Sequence, residues 1–173
     1  MSVGRFHDPQ GPQSSGGPKK YAAGLGRRRG GFSSTLHAVV DALGNCPHRG
    51  LTGGRQADCP QVPVLLAARA RAPKAGVADK ACDADQVRAS IAHYEAEAVI
   101  PPQANRLDQR AHDENRYADR NQVERFFGRL KEARGFATRY DKTATSFLAV
   151  AHLLAALDWM RSLSTRSRCI VPG

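Results

Sequence analysis

The stretch AGVADKACDADQVRASIAHYEAEAVIPP, residues 75–102, decides the fold. A short apolar run, Ala75 to Ala78, ends abruptly in Asp79 and reads as a strand. DADQVRASIAHYEA reads as a helix, with Val87, Ile91 and Tyr94 on one face. AEAVIPP, residues 96–102, reads as a second short strand, stopped by two prolines. Asp79 therefore sits at a strand end, the place where open α/β sheets put their ligands.

Upstream, Leu36, Ala38 and Val40 alternate with Thr35, His37 and Val39, which predicts a strand. ALGN reads as a turn, and HRGLTG as a weaker return strand. Asp58 is expected to cap a helix running through VLLAARA, with Pro60 and Pro63 tolerated in its first turns. Downstream, the polar loop QANRLDQRAHDEN leads into NRYADRNQVERFFGRLK, residues 115–131. A last helix spans 143 to about 163, carrying Phe147, Val150, Leu154, Leu157 and Met160 as its apolar residues. Alternating strands and helices after an initial hairpin predict an α/β fold with a mixed sheet.

At 173 residues the chain is long enough for one domain with its own core. Its formal charge of +10 favours a polyanionic partner. Half of that charge lies in residues 1–31, where Arg5, Lys19, Lys20, Arg27, Arg28 and Arg29 face only Asp8. Eight of the sixteen glycines fall there too, so that segment is expected to be a flexible basic arm, either gripping phosphates or merely solubilising. Cys46, Cys59, Cys82 and Cys169 form no C-x-x-C pair or zinc-ligand spacing and read as ordinary reduced thiols. The longest apolar run, FLAVAHLLAAL (147–157), contains His152 and is far shorter than the roughly 20 residues of a membrane span. No secretory leader is visible, so a cytoplasmic location is expected.

On a helix at 100° per residue, Tyr117, Arg120, Glu124 and Lys131 share an arc of about 60°. Val123, Phe126, Phe127 and Leu130 form the adjoining apolar face, which could dock on a sheet and leave the charged ridge along its edge. A bland alternative is a surface helix whose Arg120–Glu124 pair contributes a few tenths of a kcal/mol. Asp79 and Glu124 could instead converge on a hard divalent cation such as Mg²⁺, with Arg120 and Lys131 holding phosphates and Tyr117 packing on sugar or base.

The spacing Tyr-x2-Arg-x3-Glu-x6-Lys, matched by Tyr117, Arg120, Glu124 and Lys131, resembles the signature of DDE transposases of bacterial insertion sequences. GRRRGGFSSTLHAVVDALGN, LTGGRQAD, VADKACDAD, AVIPPQANR and ATRYDKTATSFLAVAHLLAAL resemble blocks of the branch related to insertion sequence five, in order from about residue 16 to 163. The resemblance implies a ribonuclease-H-like mixed sheet with flanking helices over 32–163, followed by a tail, 164–173. It implies Asp79 and Glu124 as catalytic, metal-holding carboxylates for Mg²⁺ or Mn²⁺. It implies Tyr117, Arg120 and Lys131 as DNA contacts; the charge of the arm adds Arg27, Arg28 and Arg29 as candidate DNA contacts. The implied partners are double-stranded DNA at transposon ends and target, and a second copy in a homo-oligomer; the implied location is the nucleoid, with no membrane. The family's first catalytic aspartate lies in an Asp-Ser-Thr-like block that this sequence lacks. Cys82 stands where the family usually has Tyr, and Thr35 where Lys is common. The expected first strand is therefore missing or degenerate, and the chain reads as the C-terminal part of a catalytic domain. It is then either a transposase completed from an upstream frame or an inactive remnant that only binds DNA.

Overall fold

The computed structural model describes residues 2–8, 26–28, 31–54, 56–68, 72–137 and 143–167; for 2–8, 26–28, 31–32 and 165–167 only the backbone is described. Among them lie six strands: β1 (Ser2–Asp8), β2 (Gly26–Arg28), β3 (Gly31–Val40), β4 (His48–Gly53), β5 (Ala75–Val77) and β6 (Glu97–Val99). The longer helices are α1 (Gln61–Ala67), α2 (Asp85–Ala92), α4 (Asn121–Lys131) and α6 (Ala144–Ser167), with short turns α3 (Glu114–Tyr117) and α5 (Arg134–Ala137) beside them.

The sheet is mixed, as the sequence predicts, but its centre is not where the sequence places it. β1 runs antiparallel to β3, from Ser2 opposite Val40 to Asp8 opposite Ser34, and parallel to β5, with Ser2 level with Val77. The first strand is thus present, so of the two alternatives expected for it, missing or degenerate, the first is corrected. Ser2–Asp8 and Gly26–Arg28 are also strands rather than parts of a flexible arm. Residues 9–25, 29 and 30 lie outside the described residues. β3 is the long member: its first residues pair with β2, and Ser34 to Val39 pair with β4 on the same edge. β5 and β6 pair in parallel, closing the order β2-β3-β1-β5-β6.

Helices cover both faces, so β3 is buried on both sides. Leu36, Ala38 and Val40 point to one face and pack with Val123, Phe126, Phe127 and Leu130 of α4, Phe136 of α5, and Phe147, Ala151 and Ala155 of α6. The period of two then turns Val39 to the other face, against Val62, Leu65 and Leu66 of α1 and Val87 and Ile91 of α2. α6 hugs the body through Phe147, Ala151 and Ala155, three residues spaced one helical turn apart. Leu157 and Met160, named among the apolar residues of this helix, are exposed, as are Trp159 and Leu163.

Two local readings are settled by hydrogen bonds. The ALGN turn forms, with Asp41 Oδ1 accepting from the Leu43 and Asn45 N–H groups and Gly44 at φ +84°. Gly44→Ala is expected to cost about 1–2 kcal/mol, because a Cβ is strained in that backbone region. Its new methyl would also stand 3.2 Å from Gln122 Oε1. A urea midpoint unchanged by Gly44→Ala would count against this. Asp58, expected to cap α1, instead has its carboxylate hydrogen-bonded to the buried His37 ring at 2.9 Å, and Pro60 stands at the N-cap of α1 with no side-chain cap bond.

Candidate active site

The site is assembled from the end of β5 and the start of α4. β5 is level with β6, and Ala78 N–H still donates to Val99 O at 3.4 Å. The chain then turns away from the sheet at Asp79, which is extended (φ −69°, ψ 155°) and caps the 3₁₀ turn Lys80–Cys82. Its Oδ1 accepts from the Lys80 N–H at 2.7 Å. The turn role therefore uses one carboxylate oxygen and leaves Oδ2 for another partner.

The stretch 115–131 is helical, as the spacing predicts, but it is not one uniform helix. Asp113 caps α3, accepting from the Asn115 and Arg116 N–H groups. Ala118–Arg120 tightens into a 3₁₀ turn before α4 begins. The buried face of α4 is the one anticipated: Val123, Phe126, Phe127 and Leu130 are 0–3% exposed. Docking through that face sets Glu124 at the rim of the sheet.

There Arg120 joins the two carboxylates. Its Nη2 donates to Glu124 Oε1 at 3.1 Å and lies 4.0 Å from Asp79 Oδ2. The first contact is a hydrogen bond; the second is an ion pair without one. The Asp79 and Glu124 side chains are 50% and 60% exposed, so both carboxylates face solvent on either side of one positive charge. Two hard oxygen donors converging on a cation are what a divalent ion such as Mg²⁺ needs, since it commonly takes one or two carboxylates and fills its other positions with water and phosphate oxygens. Among the described residues no third His, Cys, Asp or Glu completes a cluster.

The other anticipated residues are dispersed. Tyr117 packs edge-on against His112, ring centres 5.6 Å apart, in the turn before Arg120. Lys131 is exposed at the far end of α4, two turns beyond Glu124. Arg27 and Arg28 lie on β2, at the outer edge of β3; Arg29 is outside the described residues. Asp8 ends β1, yet counting two residues on from the Ser2–Val77 pair brings Gly4, not Asp8, level with Asp79. Asp8 is four residues further along, about 13 Å at the rise of a strand.

Residues that the sequence reading passed over frame the site. An open cleft of about 440 Å³ beside Asp79 is lined by Lys80, Ala81, Gln103, Ala104 and Asn105. Its far wall is anchored by Asp83, whose side chain is wholly buried and accepts from Arg88 Nε at 2.7 Å and the Gln103 N–H at 3.1 Å. Arg106 adds a contact at 3.3 Å. Burial raises the Asp83 pKa, but the bonds from Arg88 and Gln103 and the two guanidinium charges outweigh it, so the carboxyl is held below its usual range. The DAD sequence carried no sign of this, because Arg106 lies over twenty residues away.

Residues 77–161 match the family described as "Transposase DDE domain". The chain is 39% identical over 131 residues to a Brucella ovis protein named "Putative transposase for insertion sequence element IS6501"; those residues are 75% of this chain and the whole of that protein. The chain belongs to the DDE transposase family. No solved structure matches it. The matched span begins in β5 and takes in Asp79, Arg120 and Glu124, so the carboxylates of this transposase that meet at Arg120 both lie inside the family domain. No helix among the described residues is long and apolar enough to cross a membrane.

Proposed function

We propose that this transposase, of the branch related to insertion sequence five, binds the double-stranded ends of its element on a ribonuclease-H-like sheet. Asp79 and Glu124 are its metal-holding carboxylates. The observation that carries this reading is the convergence of the two side chains on the Arg120 guanidinium at the end of β5. The strand order and mixed directions around β1 support the ribonuclease-H-like assignment. A bound Mg²⁺ or Mn²⁺ would supply Lewis-acid activation of a water or 3′-hydroxyl and stabilise the leaving oxygen. Arg120 holds a DNA phosphate beside the carboxylates, Lys131 a second one along α4, and Tyr117 packs on sugar or base. Its place of work is the nucleoid, in the cytoplasm.

One observation favours binding without cutting by this chain alone. Two-metal phosphoryl transfer uses a shared carboxylate between the ions, and extending the Ser2–Val77 register by two residues puts Gly4, not an acidic residue, opposite Asp79. With end DNA of its insertion sequence and Mg²⁺, the chain is expected to bind without nicking. Binding should weaken steeply with salt, each phosphate contact adding about 0.9 to the log–log slope. Arg27→Ala, Arg28→Ala and Arg29→Ala together should lower that slope by roughly 2–3 if the three grip phosphates. An unchanged slope removes them from the interface. Deleting residues 1–31 is no substitute, since it takes out β1. Nicking by the unaltered chain, lost in Asp8→Asn, would show that Asp8 supplies the third carboxylate.

A further inference from the structure

We propose that Cys59 and Cys82 form a reversible oxidation site, a dithiol that a hydroperoxide converts to a disulfide clipping the leading turn of α1 to the turn that carries Asp79. The two are twenty-three residues apart in sequence, yet their Sγ atoms lie 2.9 Å apart. A disulfide needs about 2.05 Å between sulfurs. Closing the gap therefore asks for less than an ångström of movement. Cys59 Sγ also donates to Ala81 O at 3.1 Å, so the contact involves the backbone of the Lys80–Cys82 turn as well as the thiol.

The pair is asymmetric in a way that orders the chemistry. Cys59 is partly exposed and can meet an oxidant from solvent, whereas Cys82 is 4% exposed. Burial pushes the Cys82 thiol well above its ordinary range, reinforced by the Cys59 hydrogen bond and the nearby Asp58 and Asp79 carboxylates. Cys59 is thus the sulfur oxidised first. Its thiolate displaces hydroxide from hydrogen peroxide, giving a sulfenic acid and, after protonation, water. The Cys82 sulfur then attacks the sulfenyl sulfur and gives up its proton, and the hydroxyl leaves as a second water. Two thiols and one peroxide give one disulfide and two waters. Proximity compensates for the poor acidity of Cys82, since the second step is intramolecular. Cys46 offers no comparable partner among the described residues: its Sγ donates to His48 O at 3.2 Å.

The test is peptide mapping of the intact, folded chain after brief exposure to hydrogen peroxide and alkylation of free thiols. Trypsin cuts after Arg55, Arg69, Lys80 and Arg88, so each cysteine falls in its own peptide, 56–69 and 81–88. The expected product is the cross-linked pair 56–69/81–88, restored to two free thiols by a dithiol reductant. Cys82→Ser should instead accumulate Cys59 as sulfenic acid, trapped by a dimedone-type probe. Cys59→Ser should leave Cys82 unoxidised at the same dose. Hydrogen exchange on the oxidised chain should slow at residues 58–62 and 79–83. If both thiols remain alkylatable while Cys46 or Cys169 oxidises, or if the cross-linked peptide appears only in denaturant, the proposal is overturned.

Discussion

Neutralising either carboxylate is expected to weaken Mn²⁺ binding by more than tenfold while leaving DNA binding intact or slightly tighter. The substitutions are Asp79→Asn and Glu124→Gln, read by electron paramagnetic resonance of free Mn²⁺ and by gel shift on end DNA. Each removes one of the two anionic donors of the proposed metal site, which has no third among the described residues, and the remaining carboxylate is exposed and weak alone. The effect on DNA has the opposite sign for a local reason. Arg120 Nη2 donates a hydrogen bond to Glu124 Oε1 at 3.1 Å. In the Glu124→Gln variant the acceptor loses its charge, and the guanidinium is freer to turn to a phosphate. Loss of DNA affinity in Glu124→Gln, with Mn²⁺ binding unchanged, would return Glu124 to an ordinary surface pair. Asp79→Asn carries a second cost, since Oδ1 caps the Lys80–Cys82 turn, so thermal stability must be measured beside it.

Which parts of this geometry were legible in the sequence follows from how local their causes are. β5, α2 and β6 lie within twenty-five residues, and each is fixed by its own apolar period and its own stop signals. The apolar face of α4 was legible for the same reason: Val123, Phe126, Phe127 and Leu130 define it, and the position of Glu124 follows from it. β1 was not legible. Serine, glycine, arginine and aspartate are poor strand formers, and SVGRFHD becomes a strand because β3 and β5 offer hydrogen-bonding partners on both sides. Asp58 was misread because its caplike position is overridden by a buried histidine twenty-one residues earlier, held also by Thr52 at 2.7 Å. The meeting of Cys59 and Cys82 depends on α1 and α2 packing side by side on one face of the sheet, which no spacing rule encodes.

The same logic makes Asp83 the most consequential polar residue outside the site, and Asp83→Ala is expected to destabilise the fold by about 3–5 kcal/mol. The carboxylate is wholly buried between Arg88 and Arg106, with the Gln103 N–H on its second oxygen. Removing it leaves two guanidinium groups facing each other without their shared anion. Arg88 retains its bond to Ile100 O at 2.8 Å, and Arg106 its contact with Asp85 at 2.5 Å, so the loss should loosen the loop before it unfolds the sheet. For a chain of this length, roughly 10 °C of the melting temperature should go. Because the folded pKa of Asp83 lies below the ordinary carboxylate value of about 3.9, its contribution is fully present above that pH and is lost as pH falls through the folded value. The melting temperatures of the wild-type chain and Asp83→Asn should therefore differ most at neutral pH and draw together in acid. Trypsin adds a local readout: cleavage after Arg106 and Arg110 should quicken in Asp83→Asn at temperatures where the core is still intact. Since the same loop walls the cleft beside Asp79, Mn²⁺ affinity should fall with it. A melting difference that stays constant from neutral pH into acid, with no change in loop cleavage, would mean the buried ion triad neither titrates nor holds the wall.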